Sequence, residues 1–196
     1  MTDGVAPGGN PAPSPSSPLG EGPGAAAPSA APVRRGKNSL GSGLILSLVL
    51  FVLAFGADRL HKYVQITILG WQGGEFVPVT PFFNYMLVWN TGVSYSLFAS
   101  LPVAVLGGLM AVAIVALSVW WLRANAVLIR AGLALCIGGA LSNALDRWLY
   151  GAVADFFHFH FEQYSFYVFN LADTAITFGV ILLILDFLGV GRRKPA

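Results

Sequence analysis

Between Gly138 and Asp173 the sequence sets Asn143, Asp146, Arg147, Asp155, Asn170 and Asp173 among long apolar runs. A charged side chain at bilayer depth costs roughly 2.5–3.5 kcal/mol on insertion scales, so each demands a partner or a task. Two of the acids have surroundings that pull them in opposite directions. Asp155 lies within Gly151-Ala152-Val153-Ala154-Asp155-Phe156-Phe157, where burial favours a protonated carboxyl. Asp173 follows Asn170 by three residues. With Asn170 as a helix N-cap, Asp173 sits at the positive end of the helix dipole, which favours its ionised form. A neutral acid beside an ionised one is the arrangement that activates a water, and it points to general acid–base chemistry on a membrane-borne substrate.

Other side chains admit plainer roles. On a helix Asn143, Asp146 and Arg147 share one face, and the bland reading is a polar helix end in which Asp146 and Arg147 pair locally. His158 and His160 fall on one face of a strand, and with Asp155 they invite a zinc reading. Their setting, Phe156-Phe157-His158-Phe159-His160-Phe161, instead reads as an amphipathic interfacial segment. No further ligand stands at metal spacing, so no metal and no cofactor are expected. The single Cys136 excludes an intrachain disulfide and reads as a small core residue. Asp186 reads as a helix-end charge beside Arg192 and Arg193.

The elements that must position these groups are apolar. Of 196 residues, 56% are hydrophobic and 10% charged, against about 25% charged in soluble domains. Mean hydropathy is +0.69. Residues 1–38 hold eight of the twelve prolines and bury too little apolar surface to offset ordering entropy, which predicts a disordered Pro/Ala/Gly-rich tail. Four spans are expected, at about 40–57, 103–122, 127–145 and 171–190, each near the 20 residues that cross a bilayer. Gly138-Gly139-Ala140 offers the third span a small-residue face for close helix packing. Between the first two spans, Val64-Gln65-Ile66-Thr67-Ile68 alternates with period two, and Phe76-Val77-Pro78-Val79 resumes in extended form after Gly73-Gly74. That predicts a small β element outside the membrane, with Trp71, Phe82, Phe83, Tyr85 and Trp89 suited to the interface.

Basic residues set the orientation. Arg34, Arg35 and Lys37, then Arg123 and Arg130, then Arg192, Arg193 and Lys194 lie on one side; the other has Arg59, Lys62 and Arg147. By the positive-inside rule both termini are cytoplasmic, and the β element and the 147–169 loop face outward. The fold expected is therefore a mainly α membrane protein with four transmembrane helices, a small extracytoplasmic β element and an outer-face loop. The small net charge of +2 speaks against a nucleic-acid partner. A transporter or proton channel would thread acids across the membrane; here Asp58, Asp146, Asp155 and Asp173 gather at the outer edge. A structural assembly factor would leave the Asp155–Asp173 pair without a purpose.

Taken in order, Asn90-Thr91-Gly92, Gly138-Gly139-Ala140 with Asn143 and Asp146-Arg147, Val153-Ala154-Asp155-Phe156, and Phe169-Asn170-Leu171-Ala172-Asp173 resemble the lipoprotein (type II) signal peptidases over about residues 40–190. The resemblance implies a membrane aspartyl endopeptidase of the bacterial cytoplasmic (inner) membrane. Such an enzyme removes the signal peptide from a prolipoprotein, cleaving before a cysteine that carries diacylglycerol. It implies Asp155 and Asp173 as the catalytic pair. Asn90, Asn143, Arg147 and Asn170 are implied to hold substrate, with Asp58, Lys62 and Asp146 in support. The domains are then a cytoplasmic tail at 1–38, a four-helix peptidase domain at 39–191 and a basic cytoplasmic C-terminus at 192–196. The partners are lipidated prolipoprotein and membrane lipid, with a monomeric enzyme. Arg59 stands where the family has Gln, Ser142 where it has Gly, and Val93-Ser94-Tyr95 where it has a pattern such as Ala-Ala-Phe, departures that bear on the substrate pocket.

Overall fold

The computed structural model describes residues 38–92 and 103–190. The expected tail up to residue 37, the Val93-Ser94-Tyr95 departure and the basic residues 192–196 lie outside them. The first helix, α1, runs Asn38–Lys62, longer than the expected 40–57. It therefore encloses Asp58, Arg59 and Lys62 instead of stopping at them. Its 25 residues span roughly 37 Å at 1.5 Å per residue. The run expected as a strand is helical too: Tyr63–Ile68 forms a π-helical turn continuing α1. The Leu69 N–H donates to the Val64 carbonyl at 2.9 Å, the five-residue reach of that turn. A five-residue alternation is too short to outweigh a helix already nucleated ahead of it.

Beyond this turn, β1 (Phe76–Thr80) and β2 (Phe83–Asn90) form a hairpin. The helix α2 (Val103–Arg123) follows, then α3 (Val127–Tyr150), β3 (Val153–Phe161), the short β4 (Tyr164–Ser165) and α4 (Leu171–Phe187). The four strands make one antiparallel sheet in the order β1-β2-β3-β4. The 147–169 segment, expected as an outer loop, thus supplies β3, which pairs with the hairpin. Of the expected crossings, α1 with its π-helical extension, α2 and α3 are long and apolar enough to span a bilayer. The fourth helix has 17 residues, about 26 Å, and is shorter than the expected 171–190.

The third helix is the central element, packing against α1, α2 and α4. Its small residues let the neighbours approach. A side chain on Gly138 would meet the Phe51 carbonyl of α1, and one on Gly139 would collide with the Ala172 carbonyl of α4. Cys136 is buried in the same seam, beside Gly179. Because lipid is as apolar as Leu, burial does not sort side chains here as it does in water. Leu, Ile and Val along α1 and α2 point outward, while Asp58, Lys62, Ser142, Asn143, Asp146 and Asn170 are buried. The sheet has its own apolar cluster of Leu87, Ala154 and Phe156, against which Ile66, Trp71, Tyr85 and Trp89 pack. Trp71, Tyr85 and Trp89 therefore pack against the sheet's own cluster, whereas Phe82 is exposed as an interfacial residue would be.

Candidate active site

Two elements deliver the two acids. In the β2–β3 register Val88 faces Asp155 and Asn90 faces Val153. Asn90 is thus the diagonal neighbour of Asp155 on one face of the sheet, and its Nδ2 donates to Asp155 Oδ2 at 3.0 Å. Strand β3 is also tied to the start of α4, since the Phe156 and Phe157 N–H groups donate to the Phe169 carbonyl at 2.9 and 2.8 Å. The next residue, Asn170, is the N-cap of α4, as its spacing predicts. It forms a capping box in which Asn170 Oδ1 accepts from the Asp173 N–H at 2.9 Å and Asp173 Oδ2 accepts from the Asn170 N–H at 3.3 Å.

Asn170 is the joint between the acids. Its Nδ2 donates to Asp155 Oδ1 at 2.6 Å and to Asn143 Oδ1 at 3.1 Å. Asn143 in turn donates through Nδ2 to Asp173 Oδ1 at 2.9 Å. Each carboxylate is therefore bonded by one asparagine amide from α3 or β2 and by Asn170. Both acids line one pocket of about 200 Å³ together with Asn90, Asn143 and Arg147. The same pocket has an apolar side formed by Met110 of α2, Ala140 of α3 and Ile176 of α4. Burial pushes the Asp155 carboxyl up to about 7, and the negative charge of Asp173 beside it pushes the same way.

Behind the pocket lies a second pair of acids. Asp58 and Asp146 are wholly buried, and each accepts a main-chain N–H from the residue just ahead of one pocket acid. Asp58 Oδ1 takes that of Ala172 at 3.0 Å, and Asp146 Oδ2 takes that of Ala154 at 3.1 Å. Lys62 Nζ joins them, at 2.7 Å from Asp58, 2.6 Å from Asp146 and 3.2 Å from Asn143 Oδ1. An ammonium has three donors, and here each has an acceptor.

The local Asp146–Arg147 pair is not formed. Asp146 turns toward α1, where Arg59 and Lys62 bind it. Arg147 turns to the pocket and donates to the Gly92 carbonyl at 2.9 Å. Successive helix residues diverge by about 100°, so neighbours at i and i+1 do not face each other. Ser142 does not line the pocket; its hydroxyl donates to Asp58 at 2.6 Å. His158 and His160 stack with ring centres 5.5 Å apart. His158 bonds Asn84 and Ser165 at 3.2 and 2.7 Å, while Asp155 is bound by asparagines. Among the described residues no three His, Cys, Asp or Glu converge as metal ligands. Asp186 is buried in the last turn of α4. One contributor had no clear signal in the sequence: Met110 sits in a featureless apolar helix.

Known proteins resemble this chain in sequence and in fold. The family described as "Signal peptidase (SPase) II" matches residues 50–189. A lipoprotein signal peptidase of Rhodopseudomonas palustris (strain TIE-1) is 50% identical over 150 residues, 73% of this chain and 92% of that protein. One of Methylorubrum extorquens (strain PA1) is 47% identical over 158 residues, 79% of this chain and 90% of its own. A bacterial membrane enzyme solved by the in meso method at 1.9 Å resolution aligns with TM-score 0.61 and 26% identity, over 77% of this chain and 95% of that one. A second, at 2.3 Å, shares the fold with TM-score 0.64 and 24% identity, over 80% and 94%.

Proposed function

This chain belongs to the signal peptidase II family, and from that premise we propose that Asp155 and Asp173 carry out its peptide hydrolysis. The family makes it a membrane aspartyl endopeptidase that removes signal peptides from prolipoproteins. The observation that carries the assignment of residues is the Asn170 side chain, which bonds Asp155 directly while capping the turn that holds Asp173. Acids from β3 and α4 are thereby held at one pocket.

In the reaction we assign to them, a water lies between the carboxyls. Asp173 takes its proton as the oxygen attacks the scissile carbonyl carbon, and protonated Asp155 donates to the carbonyl oxygen. The resulting tetrahedral diol collapses when a carboxylate accepts a hydroxyl proton and a carboxyl protonates the leaving nitrogen. Asn90, Asn143 and Asn170 keep each acid in place, and Arg147 offers guanidinium donors to substrate carbonyls. The apolar side of the pocket faces the membrane and takes the diacylglyceryl group of the cysteine after the cleaved bond. That lipid is already in the bilayer, so its seat contributes positioning of the peptide bond. The site works at the outer face of the bacterial inner membrane, in a monomer with both termini cytoplasmic.

The test gives one enzyme preparation the same precursor with and without diacylglycerol, and repeats the lipidated arm with Asp155→Asn, Asp173→Asn and Arg147→Ala. Each Asp variant should lose at least about a hundredfold in turnover while remaining folded. Arg147→Ala should lose about 10²–10³-fold, and the unlipidated precursor should be cleaved poorly by every form. Retained turnover in either Asp variant sinks the dyad, and equal rates on both precursors sink the lipid-reading role.

A further inference from the structure

Arg59 and Ser142 have no part in the reaction just described, yet both reach the buried acids behind the pocket. The Arg59 guanidinium ion-pairs with Asp146 Oδ1 and donates to the Ser142 carbonyl at 3.3 Å. The Ser142 hydroxyl donates to Asp58 Oδ2. They therefore meet opposite members of the anchor pair: Asp146, which holds the Ala154 N–H, and Asp58, which holds the Ala172 N–H. One residue further on in each segment stand Asp155 and Asp173.

We propose that Arg59 and Ser142 are positioning residues of the peptidase. Arg59 braces the Asp146 anchor that sets Asp155, and Ser142 braces the Asp58 anchor that sets Asp173. The charge balance supports separate tasks. Asp58 and Asp146 bring two negative charges into a buried site and Lys62 one positive charge; Arg59 brings the cluster to neutrality, and a buried carboxylate without a counter-charge is strongly unfavourable. Gln at position 59 would leave one negative charge uncompensated beside the dyad. Ser142 brings no charge. It adds a third donor to Asp58, where a glycine would leave the carboxylate with the Ala172 N–H and Lys62. A guanidinium suits the first task because it can serve a carboxylate and a carbonyl together.

The two roles separate in a pH profile. The titratable groups around Asp155 and Asp173 are Lys62 and Asp58 from α1, Asp146 and Arg147 from α3, and the Tyr167 phenol before α4. Arg59→Gln leaves these groups in place and adds net negative charge, so the dyad holds its shared proton to higher pH. Substitution at 142 changes no charge.

The inference rests on the proposed dyad. Its test uses the full chain in detergent, with Arg59→Gln, Arg59→Lys and Ser142→Gly beside the parent enzyme. Turnover of the lipidated precursor is followed against pH, and the carboxyl C=O infrared band of the substrate-free protein is titrated in parallel. Arg59→Gln should lower kcat about tenfold, the equivalent of about 1.4 kcal/mol, with KM unchanged. Its alkaline limb and infrared titration should both move to higher pH. Ser142→Gly should lower kcat with neither moved. Arg59→Lys should keep the parent's limb and lose part of kcat; if Arg59→Gln does not fold, this variant decides. Parental kcat in Arg59→Lys and Ser142→Gly, or an equal pH shift in Ser142→Gly and Arg59→Gln, overturns the proposal. A parent enzyme that cleaves nothing would defeat the functional reading, while the infrared titration would still judge this one.

Discussion

At the scale of single residues, the pocket is governed by how amide donors are shared between two acids. Burial and the neighbouring Asp173 charge hold the Asp155 carboxyl up to about 7, while the amides of Asn90 and Asn170 draw it down. The folded state thus prefers the protonated form more than an unfolded chain does. The stability this contributes is full below the ordinary carboxylate range and is lost as pH rises through about 7. Proposed as the proton donor, Asp155 should make turnover fall across the same window. Asn90→Ala removes the 3.0 Å bond to Asp155, so the falling limb of the pH–rate profile should move to higher pH, with lower kcat. A limb that stays in place would show that Asp155 is not the group titrating. Metal dependence is decided at this scale too. The imidazole of His158 is engaged with Asn84 and Ser165, so chelation and the double change His158→Ala, His160→Ala should each leave cleavage intact. Loss on chelation, restored by zinc, would contradict the aspartyl mechanism.

At the scale of elements, the close contact of α3 with α4 matters more than any apolar cluster. Gly139 lies under the Ala172 carbonyl, in the first turn of α4 beside Asp173. Adding one methyl there must shift that turn, and overpacking of this kind costs about 1–3 kcal/mol. Gly139→Ala should therefore lower the unfolding temperature in detergent and reduce kcat together. A variant with parental stability and turnover would mean that the seam is looser than its geometry. The capping box and the β3–Phe169 hydrogen bonds do the complementary work of joining sheet to helix. The period-two run at 64–68 was misleading at this scale, since its residues lengthen α1 toward the sheet.

For the whole molecule, lipid and water divide the surface. Apolar side chains of α1 and α2 face outward, and the sheet and pocket stand at the end of α3 opposite Arg130. The tail has no core-forming pattern and lies ahead of the segment that matches the family, residues 50–189. Deleting residues 2–32 while keeping Arg34, Arg35 and Lys37 should leave insertion and cleavage unchanged. Neutralising those three should loosen the orientation of α1, read by accessibility of a reporter at the N-terminus. Loss of cleavage in the clean truncation would give the tail a role that composition does not suggest.

By itself, the sequence determined what short-range chemistry dictates: long apolar runs that must be helical in lipid, a helix start at Asn170, an extended run at Phe76-Val77-Pro78-Val79, and acids too costly to sit in a bilayer idle. Those follow from backbone hydrogen bonding and desolvation, which act within a few residues. Only the tertiary structure decided the partners. Asp146 and Arg147 are adjacent in the chain, yet one turns to α1 and the other to the pocket. Asp58 finds Ala172 at 3.0 Å, 114 residues away, and Ser142, a departure expected to bear on the substrate pocket, instead bonds that same carboxylate. Such pairings depend on which helix faces meet and at what rotation. A run of apolar residues that faces lipid on every side leaves that rotation unspecified, so it is the glycine contacts and buried polar bonds between helices that set it.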